Sequence, residues 1–259
     1  MSAKKESIGR TITVAFLVCL VCSVVVSTAA VSLRPAQIQN QLIDKQRNIL
    51  SIAGLLQPGL SIEEQFAGIT PRLVDLRTGQ FSDEHDALTF DARRAAGDPA
   101  LSKRLDSSDD IAGIRRRENF ATVYMVENDA GDIETLILPV YGAGLWSTLY
   151  GFIALEGDLN TIVGLGFYQH AETPGLGGEV DNPNWQRQWE GNRVFDDDGN
   201  VATRVVKGGV DRNSPQADYA VDGLAGATLT ARGVENLVRF WMGEQGFRPF
   251  LSNLSAGEA

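Results

Sequence analysis

Cysteine is nearly missing from this chain: 259 residues hold two, Cys19 and Cys22, both close to the N-terminus. The rest of the chain therefore has no disulfide framework, and two thiols alone make a poor metal site. Histidine is equally scarce, and His85 and His170 stand too far apart in sequence for a spaced ligand pair. No metal site is expected. A Rossmann glycine fingerprint is also lacking, so no dinucleotide site is expected on this chain. Positive charge is in deficit, with 23 Lys and Arg against 33 Asp and Glu and a net charge of −10. Lys4, Lys5 and Arg10 against Glu6 make the first 33 residues net basic, so the remainder is more acidic still and no nucleic acid is expected as a partner.

The most localised absence is of charge of either sign between positions 12 and 33. About 22 residues at 1.5 Å each span roughly 33 Å, the thickness of a bilayer core, which predicts a transmembrane helix in a lipid bilayer. A cleaved signal peptide is the rival reading, since Ser27 to Ala30 are small, but the run exceeds a signal's usual apolar core of roughly 7 to 15 residues. The basic residues before it keep residues 1–11 in the cytoplasm and send the larger part outward, to the periplasm of a Gram-negative cell. Cys19 and Cys22 fall on one face of that helix as small packing residues.

Past the membrane segment, 34–66 reads as a juxtamembrane helical segment: a helix emerging after Pro35 and ending near Gly54, then a short one opened by the capping box Ser61-Ile-Glu-Glu64. A single domain, 67–259, follows. A strand is expected over 69–75, then a charged surface excursion with some helix over 83–117. Strand-like runs cover 120–127 and 133–141, joined by a turn at 128–132, then 150–156 and 161–170, and again 193–195 and 201–206. After Thr230, apolar residues recur at Val234, Leu237, Val238, Trp241 and Met242, the spacing of a helix with one buried stripe. The expected architecture is α+β: a largely antiparallel sheet with packed helices, preceded by one transmembrane helix. The run Asp196-Asp-Asp-Gly-Asn200 invites a calcium reading, but its glycine comes too early and Lys207 stands where a calcium loop needs glutamate. A hairpin turn suits it better.

Three stretches carry chemical interest. In Asp222-Gly-Leu-Ala-Gly-Ala-Thr-Leu-Thr230 the glycines precede a helix whose first-turn N–H groups attract an anion, and Thr228 or Thr230 is placed to cap it. The segment His170-Ala-Glu-Thr-Pro-Gly-Leu-Gly-Gly178 follows a strand and combines residues that fix a loop with residues that let backbone approach a ligand. Within it, His170 and Glu172 are two apart and so point the same way on extended chain, as a general base with its orienting carboxylate would; no partnered nucleophile supports that use. In Gly142-Ala-Gly-Leu-Trp-Ser147 a tryptophan in a glycine loop suits stacking on a planar ring. Trp185 and Trp189, four apart, read as packing residues.

The first stretch resembles the flavinylation motif D-x-x-(S/T)-G-A-T, with Ala225 where serine or threonine is usual. Together with Gly144-Leu-Trp-Ser147, the run 168–179 with Ala171 in place of a usual glycine, and Asn182-Pro-Asn-Trp185, it makes nearly the whole chain similar to the C subunit of the bacterial sodium-translocating NADH:quinone reductase. The resemblance implies FMN held covalently by a phosphoester to Thr228. It places Leu145 and Trp146 on one wall of the flavin site and Glu172, Thr173, Gly175, Leu176 and Gly177 on the other, with Lys207, Asp222, Gly226, Ala227 and Thr230 around the phosphate and ring. It also implies five partner subunits, a flavin transferase for maturation, an inner-membrane location, and no catalytic residue here beyond the flavin. NADH and quinone are expected on other subunits. The G subunit of Rnf-type electron-transport complexes shares some of these elements, but the Gly144 and Asn182 stretches favour the quinone reductase. A bitopic periplasmic sensor has the same anchor topology, yet only about ten cytoplasmic residues, too few for a signalling domain.

Overall fold

The computed structural model describes residues 8–259; Lys4, Lys5 and Glu6 lie outside them. The first element, α1, is a helix over Ile8–Ile52. It continues through Pro35, after which a helix was expected to emerge from the membrane. An interior proline removes one backbone hydrogen bond and crowds the carbonyl four residues earlier, at a cost of about 3 kcal/mol. The end falls where the sequence predicted. Gly54 takes φ 69° and the Leu55 amide donates to the Leu50 carbonyl, a glycine-closed helix terminus. Among the described residues α1 is the one helix long and apolar enough to cross a membrane.

Residues 46–259 form a compact unit. Its centre is a six-stranded sheet of β1 (Thr70–Asp75), β2 (Gln80–Phe81), β5 (Phe120–Glu127), β6 (Ile133–Ala143), β7 (Thr148–Glu156) and β8 (Ile162–Gln169). The spatial order is β2-β1-β5-β6-β7-β8 and every pairing is antiparallel. Strand alternation sends neighbouring residues to opposite faces. On β6, Leu136, Leu138 and Val140 join one buried cluster while Ile137 joins the other.

The larger cluster lies under α5 (Thr228–Trp241), whose Val234, Leu237, Val238 and Trp241 are fully buried. Each such side chain contributes about 1.5–3 kcal/mol by leaving water. The helix also comes unusually near the sheet at Gly233, where a Cβ would lie 2.4 Å from the Ala143 carbonyl oxygen. The opposite face is covered by Ile49, Leu50, Ala53 and Ile69, packed on Tyr124, Ile137, Phe152 and Ala154. The short helix α2 (Ile62–Phe66) has the capping box read from Ser61 and Glu64.

The excursion differs from expectation. It holds the helix α3 (Ala92–Gly97), capped by Asp91, and a two-stranded sheet of β3 (Ser102–Arg104) and β4 (Arg116–Glu118). It is more than surface, because Ala95, Leu105, Ala112 and Arg117 are buried. The strands expected over 193–195 and 201–206 shrink to isolated bridges at Arg193 and Phe195 and to β9 (Arg204–Val206), which pairs in parallel with β10 (Ala220–Asp222). Between Phe195 and its bridge partner Val201, Asp196 accepts the Asn200 amide, so the acidic run is the hairpin turn. Trp185 and Trp189 are buried in T-shaped contact, though only Trp185 lies in the one-turn helix α4 (Pro183–Gln186). A last helix, α6 (Arg248–Ala256), adds Phe250 and Leu251 to the core.

Candidate functional site

Two loops and the start of α5 meet at one end of the sheet. The first loop is the turn between β6 and β7, closed by the Gly144 amide donating to the Ser147 carbonyl at 2.8 Å. It lifts Leu145 and Trp146 clear of the fold, and Trp146 is 70% exposed. The second loop leaves β8 at Gln169. The amides of Leu176 and Gly178 both reach back to the Thr173 carbonyl, and Gly175 takes φ 76° to close that turn. Leu176 projects outward. The loops are tied by the Ala171 amide donating to Ser147 Oγ at 2.7 Å.

Glu172 joins both loops to the helix. Its Oε1 accepts the Trp146 amide at 2.9 Å and the Ser147 amide at 3.2 Å, and its Oε2 accepts the Thr230 hydroxyl at 2.7 Å. Burial raises its carboxyl pKa, but these bonds, with that of the Leu145 amide, outweigh burial and hold it below the usual carboxylate range. Two expectations are corrected here. Glu172, expected at the polar edge of a flavin, has both carboxylate oxygens engaged inside the protein. Thr230 is no cap: it is buried, its hydroxyl goes to Glu172, and the N-cap position belongs to Ala227, which has no side chain to cap with. Nor is His170 paired with the Glu172 carboxylate. Its Nδ1 accepts the Glu172 backbone amide and its Nε2 faces Asp181 at 2.8 Å.

Thr228 is the first residue of α5 and is exposed. Among the described residues, the amides of Thr228, Leu229 and Thr230 have no hydrogen-bond partner, the usual state of an uncapped helix start. Gly226 turns the chain into the helix with φ 72°, and a Cβ there would sit 3.0 Å from Leu176 Cδ2, so the second loop abuts the Thr228 segment. Asp222 lies further back, its Oδ1 accepting the Val210 amide at 2.7 Å. Lys207 is exposed on the turn after β9, against Gly223.

These features fit FMN. A phosphate needs donors, and three free amides share the first turn of a helix, at its positive end, with the exposed Thr228. A ring system needs apolar surface. Outside α1 the exposed large apolar side chains are Leu56, Leu60, Leu88, Ile111, Leu145, Trp146, Leu176 and Leu229, and the last four stand on the two loops and this helix start. Leu229 was missed in the sequence, although a leucine flanked by two threonines ahead of the buried stripe was the available signal. Leu145, Trp146, Thr173, Gly175, Leu176, Gly177, Gly226, Ala227, Thr228 and Thr230 thus come together, while Lys207 and Asp222 border the group.

An α+β domain with an open apolar face beside an uncapped, threonine-bearing helix start defines a flavin-binding protein, and residues 144–243 match the family described as FMN-binding domain. The likeness extends further. The C subunit of the Na(+)-translocating NADH-quinone reductase of Pseudomonas aeruginosa is 58% identical over 261 residues, covering 99% of this chain and 100% of that one. Its counterpart from Yersinia pestis is 52% identical, covering 97% and 95%. The crystal structure of Shewanella oneidensis NqrC superposes with a TM-score of 0.77 at 40% identity, covering 85% of this chain and 99% of that one. The chain belongs to the family formed by the C subunits of the Na(+)-translocating NADH-quinone reductases.

Proposed function

We propose that this chain is the electron-transfer subunit of a membrane complex that couples NADH oxidation and ubiquinone reduction to sodium export, and that it carries FMN esterified through its phosphate to Thr228. The observation that carries the attachment is the exposed Thr228 beside three unpartnered amides, on the segment where Gly226 abuts Leu176. Bound FMN supplies the redox chemistry. The residues supply the rest: the first turn of α5 holds the phosphate, Trp146 and Leu176 flank the ring, and Gly226 and Ala227 leave room for the modifying enzyme. The helix dipole stabilises a phosphodiester charge by about 0.3–1 kcal/mol at an exposed site, enough to orient the group but too little to retain it. Retention falls to the covalent bond.

In this reading five other subunits complete the assembly and bind NADH and quinone, and a flavin transferase performs the attachment. The N-terminus is cytoplasmic and the 67–259 domain periplasmic, anchored in the inner membrane by residues 12–33. Peptide mapping tests the linkage. After co-expression with a flavin transferase, the tryptic peptide 213–232 is expected to be heavier by FMN less one water, with fragmentation localising the addition to Thr228. The addition on Ser214 or Thr230 of the same peptide contradicts the assignment.

A further inference from the structure

Glu172 carries a charge that none of its contacts neutralises. Its donors are a hydroxyl and backbone amides, and among the described residues it forms no ion pair. The carboxylate is fitted tightly: a Cβ on Gly144 would lie 2.6 Å from its Oε1, and one on Gly177 2.6 Å from its Oε2. The residue is 5% exposed, yet it is one hydrogen bond from the backbone of Trp146 and one from the first turn of α5. A buried anion is screened much less than a surface one.

We propose that Glu172 is a positioning residue whose buried negative charge also lowers the midpoint potential of the flavin on this face. The inference rests on the reading that FMN is held at Thr228. Neutral donors stabilise the carboxylate without cancelling its field at a distance, so an electron added to a redox group above the loops meets a fixed like charge. A latch alone would need only hydrogen bonds. The charge is what a redox site feels in addition.

Two variants of the full-length protein, flavinylated by co-expression, separate these roles in a spectroelectrochemical titration at neutral pH. Glu172→Gln keeps the size and removes the charge, and its midpoint potential is expected to move positive by more than the spread between replicates. Thr230→Val keeps the charge and removes a donor, leaving the carboxylate less compensated, so its potential is expected to move negative. Loosening of the loops acts alike in both variants, so opposite signs identify the charge. Potentials that stay put, or that move in the same direction, overturn the proposal. Should Glu172→Gln take up no flavin, Thr230→Ser, which keeps both the donor and the charge, serves as the comparison: a potential at the parent's value beside a negative shift in Thr230→Val supports the proposal, and a Thr230→Val potential that is unmoved or positive overturns it. A parent protein without flavin on Thr228 overturns both this inference and the reading beneath it, whereas a flavinylated parent with unmoved variants overturns this one only.

Discussion

Glu118 and Glu172 are both buried carboxylates, and the balance between burial and hydrogen bonding leaves them on opposite sides of the ordinary carboxylate pKa. Glu118 is 1% exposed, and burial raises its pKa to about 7 against the lowering effects of the Tyr141 hydroxyl, which donates to it at 2.5 Å, and of Arg117. A carboxyl raised in the folded state contributes stability in full below its ordinary value of 4.5, and that contribution is lost as pH rises to about 7. Glu118→Gln is therefore expected to flatten the fall in melting temperature across that window and to melt above the parent beyond it, followed by circular dichroism of the detergent-solubilised protein. Parallel profiles would contradict this. Glu172 is the reverse case: its lowered pKa gives stability present above pH 4.5 and lost as pH falls below it. At the open face, Trp146→Ala is expected to shift the flavin absorption bands while the flavin stays attached in denaturing gels, and an unchanged spectrum would leave Trp146 no contact with the ring. The positions of Thr228, Trp146 and Leu176 were legible from local motifs. The bond from Thr230 to Glu172 was not, because it spans 58 residues and the local rule of threonine capping gave the wrong role.

Among the elements, α5 and the four strands from β5 to β8 could be read because each is long and patterned, and Val234, Leu237, Val238 and Trp241 are buried as their spacing required. Three-residue strands carry no such pattern. The parallel pairing of β9 with β10 and the antiparallel pairing of β3 with β4 are set by tertiary contacts, and the nine-residue α6, with proline in its first turn, is too short for periodicity to announce. Helix propensity and packing oppose each other at Gly233. In an exposed helix, glycine to alanine gains about 0.8–1.0 kcal/mol. Here the added carbon would lie 2.4 Å from the Ala143 carbonyl oxygen and 3.3 Å from Gly144 Cα, pushing α5 away from the base of the Trp146 turn. Gly233→Ala is thus expected to lower the melting temperature, and a rise would mean that the helix is free to back away.

At the scale of the whole molecule, the charge-free run over 12–33 lies within α1, and Arg10 precedes it. Reporters fused after Ala259 are expected to report a periplasmic C-terminus, as the positive-inside rule requires; cytoplasmic reporter activity would reverse the topology. The excursion shows how far the sequence could be read at this scale. Its charged composition suggested surface, but its last strand runs on into Glu118, which accepts from Tyr141, and it sets Arg93 over the Tyr150 ring at 3.6 Å, so it packs against the strands that carry the site loops. On the proposed reading, one threonine retains the flavin. Thr228→Val, close in shape but without the hydroxyl, tests it most directly through flavin fluorescence in a denaturing gel of the full-length protein co-expressed with a flavin transferase. A folded, membrane-inserted protein whose band is dark beside a fluorescent parent is expected; a fluorescent Thr228→Val band would mean that another residue holds the flavin.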